Sequence, residues 1–144
     1  MTWATDRLDE IVRGEGSAPP VTKTLKLGLL DAWGPGWARK LWRASPDVLQ
    51  ADGSMFGGYI AALADQVAAF AAMTVVPGDM IFRTSGLQVQ FFRSLRNADL
   101  QIEGRVVSAG RSLLAIEVDF RAGDALVARA FASQFLIPIR SSVL

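Results

Sequence analysis

The stretch "GGYIAALADQVAAFAA", residues 57–72, carries a single acidic residue, Asp65, followed by Gln66, among fourteen small or apolar residues. A carboxylate resists burial unless it is paired, and the positions a helix would bring beside this one, 61, 62, 68 and 69, are all alanine. No local cation neutralises it. It also lies more than two turns into the run, beyond the reach of capping or of the helix dipole. An unpaired carboxylate in an apolar setting has its charged form disfavoured by desolvation, the state wanted of a general base or nucleophile near neutrality. The alternatives are an Asp on one wet stripe of the helix, or one paired with a distant arginine. The run opens with Gly57 and Gly58. Free amides at a helix N-terminus, with no side chains in the way, form an anion or oxyanion site. Close packing of the two glycines on a strand explains them equally well. Together, the amides and a carboxylate about two turns further on suit acyl transfer, one end polarising a carbonyl while the other attacks or activates water.

Few other groups are available for chemistry. The 144 residues include no cysteine and no histidine. That removes thiolate nucleophiles, disulfides, His general bases, Ser–His triads and His-ligated metals, leaving Asp, Glu, Lys, Tyr, hydroxyls and backbone amides. Fifteen Lys and Arg against fourteen Asp and Glu give a net charge of +1, which marks neither nucleic acid nor an anionic membrane as a partner. The first ten residues, "MTWATDRLDE", are acidic where a secretory signal would be basic. Residues 55–76 are long enough to span a bilayer, but their central Asp costs roughly 2.5–3.5 kcal/mol there. A cytoplasmic protein with no membrane association is expected.

The elements that must position Asp65 follow from periodicity. With 144 residues, 51% of them hydrophobic, one domain over 1–144 is expected. Leu8, Ile11 and Val12 predict a short amphipathic helix over 5–13, ended by Gly14. Residues 14–20 read as a loop. Strands are expected over 24–30 and 38–44, with "WGPGW" (33–37) as the turn between them, and 45–57 is a loop broken by Pro46 and Gly53. The alanine-rich run predicts one long helix over about 57–73, apolar nearly all round and so buried on most faces. Beyond "VPGD" (76–79) the pattern is β. Leu87, Val89 and Phe91 alternate with glutamines, and Leu100 and Ile102 with Gln101 and Glu103. Leu114, Ile116, Val118 and Phe120 alternate with smaller or charged residues, and Val127, Phe131, Phe135 and Ile137 mark the last strand. The links at 96–99, 108–111 and 121–124 have the length and residues of hairpins. An α+β domain is expected, an antiparallel sheet wrapped around one central helix. Trp3, Trp33, Trp37 and Trp42 either line an acyl pocket or bury the first helix against the sheet, and packing is the favoured reading.

"GSMFGGYIAALAD" (53–65) resembles the hotdog-fold acyl-CoA thioesterases of the PaaI/4-hydroxybenzoyl-CoA type. Their pattern is Asn or Gln, then G-x-[LM]-H-G-G, then an acidic residue seven positions on. Gln50, Gly53, Met55, Gly57, Gly58 and Asp65 take those places, with Phe56 where the family has histidine. "TSGLQVQFFRSL" (84–95) is similar to the family's next strand, where Thr84 falls at a water-positioning Ser or Thr. "GRVVSAGRSLLAIEVDF" (104–120) is similar to the hairpin near the CoA nucleotide. The resemblance covers about residues 45–137.

It implies hydrolysis of a small or medium acyl- or aryl-CoA thioester. The Gly57 N–H would polarise the carbonyl, Asp65 would act as general base or nucleophile, and Gln50 and Thr84 would orient the water. Phe56, Gly58, Phe91, Arg93, Arg111 and Ser112 become candidate substrate or CoA contacts. It further implies a homodimer, with the site shared between subunits and dimers pairing into tetramers. It implies no metal and no cofactor apart from the CoA of the substrate. Hydratases of the same fold need a histidine that this chain lacks. A non-catalytic hotdog protein that binds an acyl-CoA or a protein partner is the other reading.

Overall fold

The computed structural model describes residues 1–141. Helix α1 (Trp3–Val12) is closed at its start by a capping box between Thr2 and Thr5, and a short helix α2 (Pro20–Thr24) follows. Strands β1 (Ala32–Gly34) and β2 (Trp37–Trp42) lead through a 3-10 turn at Pro46–Val48 to the long helix α3 (Gly57–Met73). Four strands follow it: β3 (Met80–Phe91), β4 (Leu100–Ala109), β5 (Leu113–Ala122) and β6 (Ala125–Pro138).

All six strands form one antiparallel sheet in the order β1-β2-β4-β5-β6-β3. Leu63, Ala64, Val67, Ala68 and Ala71 of α3 are fully buried against it. The inner face supplies Leu100, Ile102, Leu114, Ile116, Val118 and Phe120, each at most 1% exposed. Close approach is possible because β4 carries Gly104 under the helix. A β-carbon there would meet the Val67 carbonyl oxygen at 3.1 Å and the Ala71 side chain at 3.2 Å. The alanines of α3 and the glycine of β4 are therefore complementary, small groups that let helix and sheet interlock.

Three expectations are corrected. Residues 24–30 do not form a strand: Pro20 starts a helix instead, as proline favours at a first turn, and the segment then runs irregularly to β1. The 96–99 link does not close a hairpin, because β3 pairs with β6 and lies at the far edge of the sheet, so the chain crosses over to β4. Turn chemistry defines a reversal locally but does not say which strand is the neighbour. In β6 the side-chain phase is inverted: Ala128, Ala130, Ala132 and Gln134 face the helix, while Phe131 and Phe135 point outward, 50% and 40% exposed. The sequence marked this strand by its aromatic residues, but space beneath α3 admits mainly small ones.

The tryptophans act in packing. Trp3 donates to the Met80 carbonyl at 3.0 Å, Trp33 to Asp9 at 3.0 Å and Trp42 to the Tyr59 hydroxyl at 3.0 Å. The Arg39 guanidinium lies over the Trp37 ring. Among the described residues no helix is long and apolar enough to cross a membrane.

Candidate active site

Asp65 lies on the side of α3 turned away from the core, exposed to solvent in the single chain. The burial expected of it is therefore not found. The reason is geometric: the alanines around it are small because the sheet and the N-terminal segment come close on either side, yet the stripe that bears Asp65 is left open. Thr84 of β3 donates its hydroxyl to Asp65 Oδ1 at 2.8 Å. Asp65 makes no ion pair among the described residues. The same Thr84 hydroxyl lies 3.2 Å from Gln134 Oε1 of β6, and Gln134 is fully buried with an Nε2 that has no partner.

Asp65 also stands in the wall of a cavity of about 500 Å³ between α3 and the N-terminal segment. Its neighbour Gln66 fastens that segment. Gln66 Nε2 donates to the Gly28 carbonyl at 2.8 Å, and Gln66 Oε1 accepts from Lys40 at 2.8 Å. The Lys40 ammonium, buried under β2, also donates to the Leu27 carbonyl. Burial lowers the pKa of Lys40 to about 8, partly opposed by the charge of Asp31.

The second cluster is at the helix N-terminus. α3 begins without a side-chain cap, so the first amides, of Gly57 and Gly58, are open. Aromatic rings crowd them. A β-carbon at Gly57 would meet the Phe91 ring at 3.3 Å, and one at Gly58 would meet the Phe56 ring at 2.6 Å. Phe56 is 57% and Phe91 45% exposed. Gln50, Gly57, Phe91 and Arg93 share a depression of about 300 Å³. The Gln50 side chain donates to Ser54 Oγ at 3.0 Å within the 50–54 turn, which Asp52 ties further by accepting from the Ser54 amide and hydroxyl.

The residues named from the sequence thus fall into two separate groups. Eight residues of helix, about 12 Å of rise, divide Gly57 from Asp65, and the two line different cavities. Arg111 and Ser112 are exposed in the β4–β5 hairpin, at the end of the sheet nearer Thr84, as the row Leu114, Gln134, Thr84 across β5, β6 and β3 shows. Phe91 ends β3 on the opposite side from Thr84 and Arg93 follows just beyond it, so the two pairs lie far apart along the sheet. Sequence reasoning passed over Gln134, Lys40 and the apolar residues of the cavity roof. Gln134 had a signal, a polar residue in step with Ala130 and Ala132, which the phase taken from Phe131 and Phe135 concealed.

A sheet wrapped around one central helix in this strand order is the hotdog fold. Residues 52–129 match the sequence profile of the thioesterase superfamily, and the chain belongs to that family. A phenylacetic acid degradation-related protein from Ralstonia eutropha JMP134 has a similar structure, with 25% identity, a TM-score of 0.79, and 89% of this chain and 98% of that one covered. A thioesterase from Haemophilus influenzae (17% identity, TM-score 0.72, 77% and 78% covered) is similar in fold. So is a thioesterase protein from Streptococcus pneumoniae TIGR4, solved with coenzyme A (19% identity, TM-score 0.69, 76% and 84% covered). No curated protein sequence matches the chain.

Proposed function

We propose that this thioesterase-superfamily protein hydrolyses an acyl-CoA thioester, in a site completed by a second copy of the chain. The observation that carries the reading is the Asp65–Thr84 pair in the wall of a largely apolar cavity. A carboxylate with a hydroxyl partner and no cation is free to take a proton from water. An apolar cavity beside it suits an acyl group. The uncapped α3 N-terminus supplies the complementary half, an amide aimed where negative charge develops on the carbonyl oxygen. These halves are too far apart in one chain. β3 forms an unpaired sheet edge of twelve residues with Leu87, Phe91 and Phe92 exposed beside it, the kind of edge that recruits another strand. A two-fold pairing there sets Gly57 and Gln50 of one copy against Asp65 and Thr84 of the other.

In the proposed reaction Asp65 removes a proton as water adds to the thioester carbonyl. The Gly57 N–H stabilises the oxyanion, and collapse expels CoA as the thiolate, which takes up the proton. Attack by Asp65 itself, followed by hydrolysis of the anhydride, gives the same products. Arg93 from one copy and Arg111 with Ser112 from the other are the proposed contacts for the CoA phosphates. The coenzyme A bound to the Streptococcus pneumoniae relative supports this choice of thiol.

The test is turnover of an acyl-CoA panel by wild type and by Asp65→Asn. Hydrolysis is expected, with kcat reduced about 10²–10⁴-fold in the variant. A wild type inert towards every thioester, or a variant at full rate, overturns the assignment, the former in favour of a binding protein.

A further inference from the structure

We infer that the cavity beside Asp65 selects an unsubstituted apolar acyl group of medium length; this rests on the thioesterase reading above. Its floor is one stripe of α3. Ala62, Asp65, Ala69 and Met73 succeed one another at helical spacing along it. From Asp65 to Met73 the stripe runs eight residues, about 12 Å. Carbon–carbon bonds of about 1.5 Å, zigzagging, advance an extended chain by about 1.25 Å per carbon. The trough beyond the carboxylate therefore matches a chain of about eight to ten carbons. Alanines keep it open, and Met73 with Phe70 closes the far end with flexible and aromatic surface.

The roof comes from Ile11 of α1 and from Val21, Leu25 and Leu29 around α2. Val21, Leu25 and Leu29 are 51%, 38% and 41% exposed, an apolar surface that none of the described residues covers. The Gln66–Lys40 clamp on Leu27 and Gly28 holds that roof at a set height above the helix.

Charge and hydrogen bonding narrow the class further. Two carboxylates, Asp65 and Glu15, line the cavity. Its one cationic side chain, Arg7, is committed to Glu10 and the Ser17 carbonyl. Gln66 has both ends engaged, which leaves the Thr22 hydroxyl as the only uncommitted polar side chain besides Asp65 among the lining residues. Acyl groups ending in a carboxylate are repelled, and a ring hydroxyl finds no matched donor and acceptor.

The experiment compares butanoyl-, octanoyl-, succinyl- and 4-hydroxybenzoyl-CoA, with octyl- and butyl-CoA thioethers as inert probes in calorimetry. Octanoyl-CoA is expected to have the highest kcat/KM. Ala69→Phe, which fills the trough one turn from Asp65, should cut the octanoyl-to-butanoyl ratio about tenfold or more. Leu25→Asp, changed on the exposed roof and safe for folding, should lower the same ratio. A preference for succinyl or hydroxybenzoyl substrates, or a ratio untouched by both variants, overturns the inference. If no thioester is hydrolysed but the octyl thioether binds more tightly than the butyl one, and Ala69→Phe removes the difference, the hydrolytic reading falls and the pocket assignment stands.

A separate observation, the orphaned amide of Gln134, points to a positioning residue. The Thr84 hydroxyl has one proton and faces two acceptors, Asp65 Oδ1 at 2.8 Å and Gln134 Oε1 at 3.2 Å. The charged acceptor takes it, which leaves two oxygens facing each other without a proton and a buried NH₂ unpaired. Turning the Gln134 amide by 180° barely moves its heavy atoms and resolves this contact. Its NH₂ then donates to Thr84, whose hydroxyl is thereby held pointing at Asp65. Gln134→Leu should lower kcat about tenfold with KM little changed and no loss of thermal stability. In a Thr84→Val background the same change should cost nothing, since the chain of bonds is already cut. Full kcat in Gln134→Leu, or an equal loss in both backgrounds, refutes the assignment.

Discussion

Lys40 is the residue at which stability and the site meet. The residue is 3% exposed, and its ammonium gives two hydrogen bonds, to Gln66 and to Leu27, that hold the N-terminal segment over α3. Burial lowers its pKa to about 8 from the ordinary 10.5. Below pH 8 the lysine is charged in both folded and unfolded chains. Between 8 and 10.5 the unfolded chain binds the extra proton, so stability rises with pH across that window and levels off above it. The gain is up to about 3 kcal/mol. Urea unfolding of wild type and Lys40→Met at pH 7.5 and pH 10 checks it: the rise is expected in wild type and absent from the variant. Phe56 shows the opposite case, a residue whose neighbourhood explains its type. Where the family has histidine, its ring packs over Gly58 beside Phe91 above Gly57, forming an apolar mouth to the helix N-terminus. In the proposed reaction the polarisation of the carbonyl would fall there to backbone amides.

At the scale of elements, α3 was the most legible part of the sequence. Seventeen residues of alanine-rich, nearly uniform hydrophobicity between two breakers have few alternatives to a buried helix. Strands β4 and β5 were legible for the same reason, since strict alternation places Leu100, Ile102, Leu114, Ile116, Val118 and Phe120 on one face, and that face is buried. β3 and β6 were legible as strands but not as surfaces. Leu87 and Phe91 lie on the helix side of β3, yet they remain 38% and 45% exposed at the sheet edge. In β6 the helix comes so close that alanine replaces the aromatic residues. The 24–30 segment was misread because its apolar residues do not serve a strand: Leu27 and Leu30 are buried in the core, while Leu25 and Leu29 roof a cavity.

At the scale of the whole molecule, the placement of the two half-sites argues for assembly. Gly57 and Gln50 lie at one end of α3 and Asp65 and Thr84 in its middle, and under the proposed function a second copy joined along β3 would close the gap. Sedimentation is expected to give at least twice the chain mass of 15.5 kDa. Leu87→Lys places a charge on the exposed inner side of that edge and should return the protein to a monomer. The variant should keep its far-ultraviolet circular dichroism and lose thioester turnover by about 100-fold or more. A monomeric wild type with full activity would remove the shared site.

The sequence by itself determined the parts whose signal is local. These are the central helix with its carboxylate, the glycine pair at its start, the alternating strands, and the exclusion of histidine and cysteine chemistry by composition. Spacing along one helix is enough to relate Gly57 to Asp65. Tertiary structure alone decided what Asp65 meets: Thr84 from an edge strand nineteen residues on, Gln134 behind it from the last strand, and a cavity roofed by the N-terminal segment. Those contacts join residues far apart in the chain. They depend on which strand lies beside which and how closely the helix approaches, and packing of the whole core settles both.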